Sequence, residues 1–303
     1  MNTVIASPSV RALAARKGID LETLGRSLGR ETLAREDVEG TTGGGGGGST
    51  PAAATSQPSA DTAYWDVDHS QYGPVREEPM SRFAQVAAKN LAAANALIPQ
   101  VTHHDEADVS AIEAFRQSLK EEAAEAGVRL TALAFHVKAL SHCLRAFQTF
   151  NASLSADGKT LILKDYVHIG IAVDTSYGLT VPVIRDADKK GLYDIARDIA
   201  ELASKAQARK LPPDAFGGAS MSISNLGGIG GIGFTPIVNP PEVAILGITR
   251  TKIQPVWDGD TFQPKPMVPL DLSYDHRVIN GADAARFLAT YASLISEPKR
   301  MML

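Results

Sequence analysis

The sequence predicts an α/β protein, a two-layer sandwich built on a mixed sheet and preceded by a small helical module. Three observations carry this. Residues 64–303 alternate helical and extended patterns with strands far apart in the chain. The segment LTALAFHVKALSHCLRAF (130–147) is apolar nearly all round, so it belongs inside a domain. Residues 41–63, TTGGGGGGSTPAAATSQPSADTA, carry six consecutive glycines and one charge, Asp61, and read as a linker. The 303 residues therefore divide into a module at 1–40, the linker at 41–63 and a large domain at 64–303.

In the first 40 residues, Ser7 caps a helix that has Pro8 at its first position and ends at Gly18. A second short helix spans about Leu33 to Val38. Few large apolar residues are available, which suits a docking module better than an enzyme. Downstream, 80–97 has helical periodicity and stops before Pro99, and 109–127 reads as one amphipathic helix closed by Gly127. The buried helix at 130–147 follows. HIGIAVDT and LTVPVIRD (168–186) read as strands and 191–210 as an exposed helix. SMSISNL, EVAILGIT and PMVPLDLSY are further strands, and GADAARFLATYASLIS (281–296) is the last helix.

Thirty basic against 34 acidic side chains give a formal charge of -4, so the chain has no global footprint for nucleic acid. The single cysteine, Cys143, excludes a disulfide framework and a cysteine zinc site, and its place on the apolar helix makes it a buried hydrophobe. No apolar run approaches the ~20 residues of a membrane helix, and the start lacks a signal-peptide stretch. The simplest compartment is the cytoplasm.

Three motifs invite chemistry and decline it. Gly228, Gly230 and Gly233 have dinucleotide-fingerprint spacing, but Pro236, Pro240 and Pro241 follow where a helix must start. A tight turn bringing backbone close to another chain or ligand is the expectation. GGGGGGST (43–50) lacks a phosphate loop's lysine. His103 and His104, near Asp105, Glu106 and Asp108, lie in an extended segment whose neighbours point to opposite faces, so they do not share an ion, and no metal is expected. His136, His142 and His168 have no local catalytic context.

DLSYDHRVINGADAARF (271–287) is different, because a strand delivers Asp275, His276 and Arg277 to its end and Gly281 opens a helix. A histidine between both charge signs at such a turn suits a general base, with Asn280 able to bond back to the loop. The same residues also allow a purely structural strand end closed by a salt bridge.

These motifs resemble those of the dihydrolipoamide acyltransferase core of 2-oxo acid dehydrogenase complexes, which shares a fold with chloramphenicol acetyltransferase. DHRVING is similar to the family's DHRxxDG signature, SISNLGGIGG to its serine strand and glycine turn, and GLTVPVIRDADKKGL and IPQVTHHDEADV to two further stretches. FTPIVNPPEVAILG resembles the bacterial, acetyl-transferring branch. The resemblance implies His276 as catalytic base and Ser224 as the hydroxyl that stabilises the tetrahedral oxyanion. Asn280 stands where most members have aspartate. For the coenzyme A pocket it implies Arg116, Thr131, Asp174, Ser224, Asn225 and Thr249, while an expected glutamine aligns with Ala203.

The implied reaction moves an acetyl or other short acyl group between dihydrolipoamide and coenzyme A. The site lies between subunits of a homotrimer, trimers join into a 24-mer or 60-mer, and EPKRMML resembles a C-terminal tail that docks into an adjacent trimer. ASPSVRALAARKGIDL and AREDV resemble a peripheral subunit-binding domain, which implies the decarboxylase or the dihydrolipoamide dehydrogenase as partner of residues 1–40. Ala12 stands at a family arginine, and RSLGRET (26–32) replaces a GTGxxGR loop. No lipoyl domain precedes the module, so the lipoyl group is expected from another domain or chain. Rival readings are an acetyltransferase acting on a free small molecule and a core scaffold that has lost catalysis.

Overall fold

A computed structural model describes residues 5–6, 8–29, 32–33, 35–39 and 67–302, and the chain divides into two compact units, 1–76 and 77–303. Ser7 and the linker at 41–63 lie outside the described residues.

The first unit holds strand β1 (Ile5–Ala6), α1 (Pro8–Lys17), α2 (Leu21–Leu28), β2 (Thr32–Leu33) and α3 (Arg35–Glu39) around Val10, Ala14, Leu24, Leu33 and Val38. The sequence reading expects two helices; the described residues hold three. The additional one, α2, is capped by Asp20, whose carboxylate accepts from the backbone of Glu22 and Thr23, and is closed by Gly29 in the left-handed region. Gly25 within the segment hides it from periodicity, yet Gly25 is buried.

The second unit begins with α4 (Arg82–Leu97), which the backbone leaves one residue before Pro99, and β3 (Gln100–Asp108). The helix expected at 109–127 is two, α5 (Ser110–Ser118) and α6 (Lys120–Glu125), broken at Leu119, whose ψ of 0° ends the first helix. Leu119 packs against the core there, so packing decides a boundary that amphipathicity does not mark. Helix α7 (Ala132–Ala146) is buried as expected, with Phe135, Leu140, Cys143 and Leu144 inside.

The strands expected over 168–186 are shorter than read. A hairpin of β4 (Ala152–Leu154) and β5 (Leu161–Leu163) is followed by β6 (Ile169–Ile171), a separate hairpin of β7 (Val173–Thr175) and β8 (Gly178–Thr180), and β9 (Val183–Ile184). After α8 (Leu192–Gln207) come β10 (Met221–Asn225), β11 (Ala244–Ile248), β12 (Lys252–Trp257), β13 (Phe262–Asp275) and α9 (Gly281–Ser296).

The main sheet has seven strands in the order β12-β13-β11-β10-β6-β9, with β3 also paired to β13. It is mixed, since β10 runs parallel to β6 and β11 while β13 runs antiparallel to β11, β12 and β3. On one face Val268, Leu270, Leu272 and Tyr274 alternate into a core shared with α7 and α9. Phe287, Leu288 and Tyr291 of α9 are fully buried in it, each contributing roughly 1.5–3 kcal/mol of transfer free energy. The intervening positions on the other face are polar and buried: Ser222, Asp271, Ser273 and Asp275. Val238, from the segment after β10, packs with Ala94 of α4 and with Ile98 just past its end over Ile245 on that second face.

The chain ends in a tight turn, Pro298–Met302, that carries Met301 into this chain's own core. The Met302 side chain and Leu303 lie outside the described residues.

Candidate active site

At the far end of β13, the last strand residue is Asp275, buried, and the next is His276, exposed. The two flanking charges pair with each other rather than with the imidazole. Arg277 Nη2 donates to Asp275 Oδ2 at 2.6 Å, and Arg277 Nε and backbone N each donate to Oδ1 at 3.0 Å. The carboxylate raises the Arg277 pKa above the ordinary guanidinium value. The turn is fixed twice more, by Ile279 N to Asp275 O at 3.0 Å and by His276 N to Pro99 O at 3.1 Å. Among the described residues the imidazole itself has no hydrogen-bond partner, and its ring lies 5.8 Å from that of Tyr274. It is presented, not consumed.

Asn280 does not bond back toward His276. Its Oδ1 accepts from Asp283 N at 2.9 Å and caps α9. That corrects the sequence reading of a bond to the loop and makes Asn280 the residue that fixes where the turn ends.

Ser224 lies on β10 at the opposite end of the sheet. It pairs in register with Gly247 of β11, and Gly247 with Asp271 of β13. His276 is five residues beyond Asp271, so at ~3.3 Å per residue and ~4.8 Å per strand the two side chains of one chain are on the order of 20 Å apart. One chain cannot bring them together. Asn225 and Thr249 accompany Ser224, because Leu226 N donates to Ile248 O at 2.8 Å where the two strands end. Thr249 is buried, and its Oγ1 has no hydrogen-bond partner. Asp174 sits on the hairpin that extends β6 past the same end, with its carbonyl accepting from Gln207 Nε2 at 2.7 Å. Gln207 escapes the sequence reading, although it lies one helical turn beyond Ala203.

Arg116 and Thr131 line a separate cleft of about 690 Å³ together with Lys120 and Arg129. Glu113 holds the Arg116 guanidinium through two bonds of 2.8 and 2.6 Å and raises its pKa. Three cations around one cleft suit a polyanion.

The glycine run behaves as expected. Residues 227–233 form turns rather than a helix, with Gly230 and Gly231 at φ of 151° and 92°. His103 and His104 pair with Leu272 and Asp271 on opposite faces, and the described residues hold no cluster fit for a metal ion. His136 is buried against the Tyr291 hydroxyl at 2.6 Å, and burial lowers its pKa to about 4. Burial likewise pushes the Cys143 thiol up to about 12 and the Glu242 carboxyl up to about 7. No helix among the described residues is long and apolar enough to cross a membrane.

A mixed sheet backed by helices thus carries an exposed histidine at one end and a serine at the other. The chain belongs to the 2-oxoacid dehydrogenases acyltransferase family, whose catalytic-domain model matches residues 72–303. It is 46% identical over 301 residues to the dihydrolipoyllysine-residue acetyltransferase component of the pyruvate dehydrogenase complex of Pseudomonas aeruginosa, covering 99% of this chain and 55% of that protein. The namesake from Azotobacter vinelandii is 45% identical over 302 residues, covering 99% and 47%. The chain thus spans about half the length of these curated relatives. Among solved structures it is similar to the cubic core of the pyruvate dehydrogenase multienzyme complex, at 51% identity and a TM-score of 0.77 over 78% of this chain and 98% of that one. Equal figures hold for a structure from work on a serine, a histidine and an asparagine in the catalytic mechanism of Azotobacter vinelandii dihydrolipoamide acetyltransferase.

Proposed function

We propose that this chain transfers an acetyl group between dihydrolipoamide and coenzyme A, at a site completed by a second copy of itself. The observation that carries the reading is spacing. Ser224 precedes His276 by 52 residues and His276 precedes Asn280 by four, and the same intervals separate the serine, histidine and asparagine studied in the Azotobacter enzyme. Residues on the order of 20 Å apart in one chain must meet across an interface, so the site takes His276 from one copy and Ser224 from the next. A head-to-tail contact of this kind forms a ring when its rotation closes, and the relation to a cubic core supports closure and assembly of such rings into a larger particle.

The chemistry follows from the residues. A thiol has an ordinary pKa near ~8.5, so a base is needed at neutral pH. The His276 imidazole takes the proton of the coenzyme A thiol, and the thiolate attacks the acetyl carbon of the dihydrolipoamide thioester. The resulting oxyanion accepts a hydrogen bond from the Ser224 hydroxyl, a contact worth about 3 kcal/mol in comparable sites. Collapse expels the dihydrolipoamide thiolate, which takes the proton back from His276. Asn280 keeps the histidine turn in place, Asp174, Asn225 and Thr249 border the coenzyme A on the serine side, and the Arg116–Thr131 cleft receives its phosphates. Residues 1–40 dock a partner enzyme, residues 41–63 tether them, and a lipoylated domain delivers the acyl group.

Subunit mixing tests this. His276→Ala and Ser224→Ala each retain about one hundredth of wild-type activity or less, but co-assembled in equal amounts they regain about one quarter, because one interface in four joins an intact histidine to an intact serine. No recovery in co-assembled particles places both residues in one chain's site and ends the reading.

A further inference from the structure

The sequence by itself assigns His104 no function, and the structure gives it a partner 167 residues away. His104 Nδ1 lies 2.6 Å from Asp271 Oδ1. The aspartate is 1% exposed, and its other oxygen, Oδ2, accepts from Phe234 N at 3.1 Å. A carboxylate taken out of water needs such donors, so the imidazole presents an Nδ1–H to it.

What this pair holds is the segment that follows Ser224. Residues 227–233 include five glycines, more backbone freedom than any other stretch of the sheet's connections, and such a loop stays in one place only where it is tied. Arg250 Nη2 ties Ile229 O at 2.8 Å, and Asp271 ties the exit at Phe234. Gly233 leaves room beside that carboxylate, since a Cβ there would press on Asp271 Oδ1 at 3.3 Å.

The tie fixes the Phe234 ring, and the ring fills the place of a missing side chain. Gly247, the register partner of Ser224, has ring carbons of Phe234 at 2.8 and 2.9 Å from where its Cβ would be. Neighbouring positions on adjacent strands share a face and lie about 5 Å apart. The aromatic ring is thus the wall beside the Ser224 hydroxyl. Ser224, Gly247, Asp271 and His104 form one row across four strands of the second face.

We infer that Asp271 and His104 are positioning residues for acyl transfer, acting on Ser224 through Phe234. The inference rests on the reading of Ser224 as the oxyanion donor. Displacing a wall of the site by about 1 Å costs rate rather than substrate binding. In the full chain, Asp271→Ala lowers kcat by about ten- to a hundredfold with both KM values within about threefold. Phe234→Leu, which keeps the apolar cover but opens the space above Gly247, gives a kcat loss of the same kind. Asp271→Asn retains an acceptor for Phe234 N and a donor for the ring nitrogen, and keeps kcat within about threefold.

The deciding experiment repeats Asp271→Ala and Phe234→Leu in a Ser224→Ala background, where each costs less than about twofold because the group they position is gone. Full multiplication of the losses in that background overturns the link, as does a kcat in Asp271→Asn as low as in Asp271→Ala. An unimpaired Ser224→Ala enzyme strikes instead at the reading of Ser224, so the two failures are told apart. Should Asp271→Ala not fold, Phe234→Leu with and without Ser224→Ala separates the same two outcomes.

Discussion

The two ends of the sheet are built by different means. At the His276 end the side-chain ties are local: Arg277 clamps Asp275 two residues back, Asn280 caps the helix that starts with Gly281, and only backbone bonds, His276 N to Pro99 O and Asp275 N to Val243 O, reach across the fold. At the Ser224 end the contacts come from far along the chain: Gly247, Phe234, Asp271, His104 and, on the neighbouring hairpin, Gln207. The histidine turn is thus shaped by its own side chains and anchored to the sheet through backbone, whereas the serine's surroundings are side chains from distant segments. A general base that moves a proton at an interface gains from a stiff local mount, whereas an oxyanion donor must be aimed, and aim is set by its surroundings.

Breaking each mount separates these roles. The largest effect is expected from His276→Ala, a loss of about 10³-fold in kcat with acetyl-CoA and dihydrolipoamide as substrates and an unchanged melting temperature, because the ring is exposed and unbonded. A comparable fall in melting temperature contradicts the picture of a presented side chain. Ser224→Ala should cost about 10²-fold in the same assay, with less than a threefold change in KM for coenzyme A. An equal rise in KM reassigns the serine to binding.

Smaller effects fall on stability. Glu242 is buried with its pKa raised from 4.5 to about 7, so the folded state holds a proton that the unfolded state releases, and stability falls as pH rises from about 4.5 to 7. His136, lowered from 6.5 to about 4, has the opposite slope: its contribution is present above 6.5 and is lost as pH falls toward 4. The two partly cancel between 4.5 and 6.5. Glu242→Gln therefore gains several degrees in melting temperature at pH 8, gains little at pH 4.5, and leaves a steeper decline below pH 6.5. A uniform shift at all pH values rejects titration of Glu242 as the cause. Least of all, Asn280→Ala removes a helix cap worth about 1 kcal/mol and lowers the melting temperature by about 2–4 °C, while Asn280→Asp keeps it. Calorimetry distinguishes them.

The same contrast decides what is legible in the sequence. Helices α7, α8 and α9 and strands β10 and β11 announce themselves by periodicity, and the His276 turn by adjacent charges and a glycine, since all of these are settled within a few residues. The break at Leu119 is invisible because packing against the core sets it, not the helix's own pattern. The third small helix in residues 21–28 is marked by its Asp20 cap and Gly29 stop, and the interior Gly25 obscures it. Asp271 carries a signal too: a charged residue amid the apolar strand PMVPLDLSY must find a partner. Sequence spacing holds no clue that the partner is His104, because strand register, not proximity along the chain, brings them opposite.

One buried residue bears on selectivity. Both proposed substrates are thiols, and their thioesters acylate any accessible thiolate. Cys143 is this chain's single sulfhydryl, sealed inside α7 with its pKa pushed up to about 12. This chain therefore offers no accessible thiol of its own to compete for an acyl group.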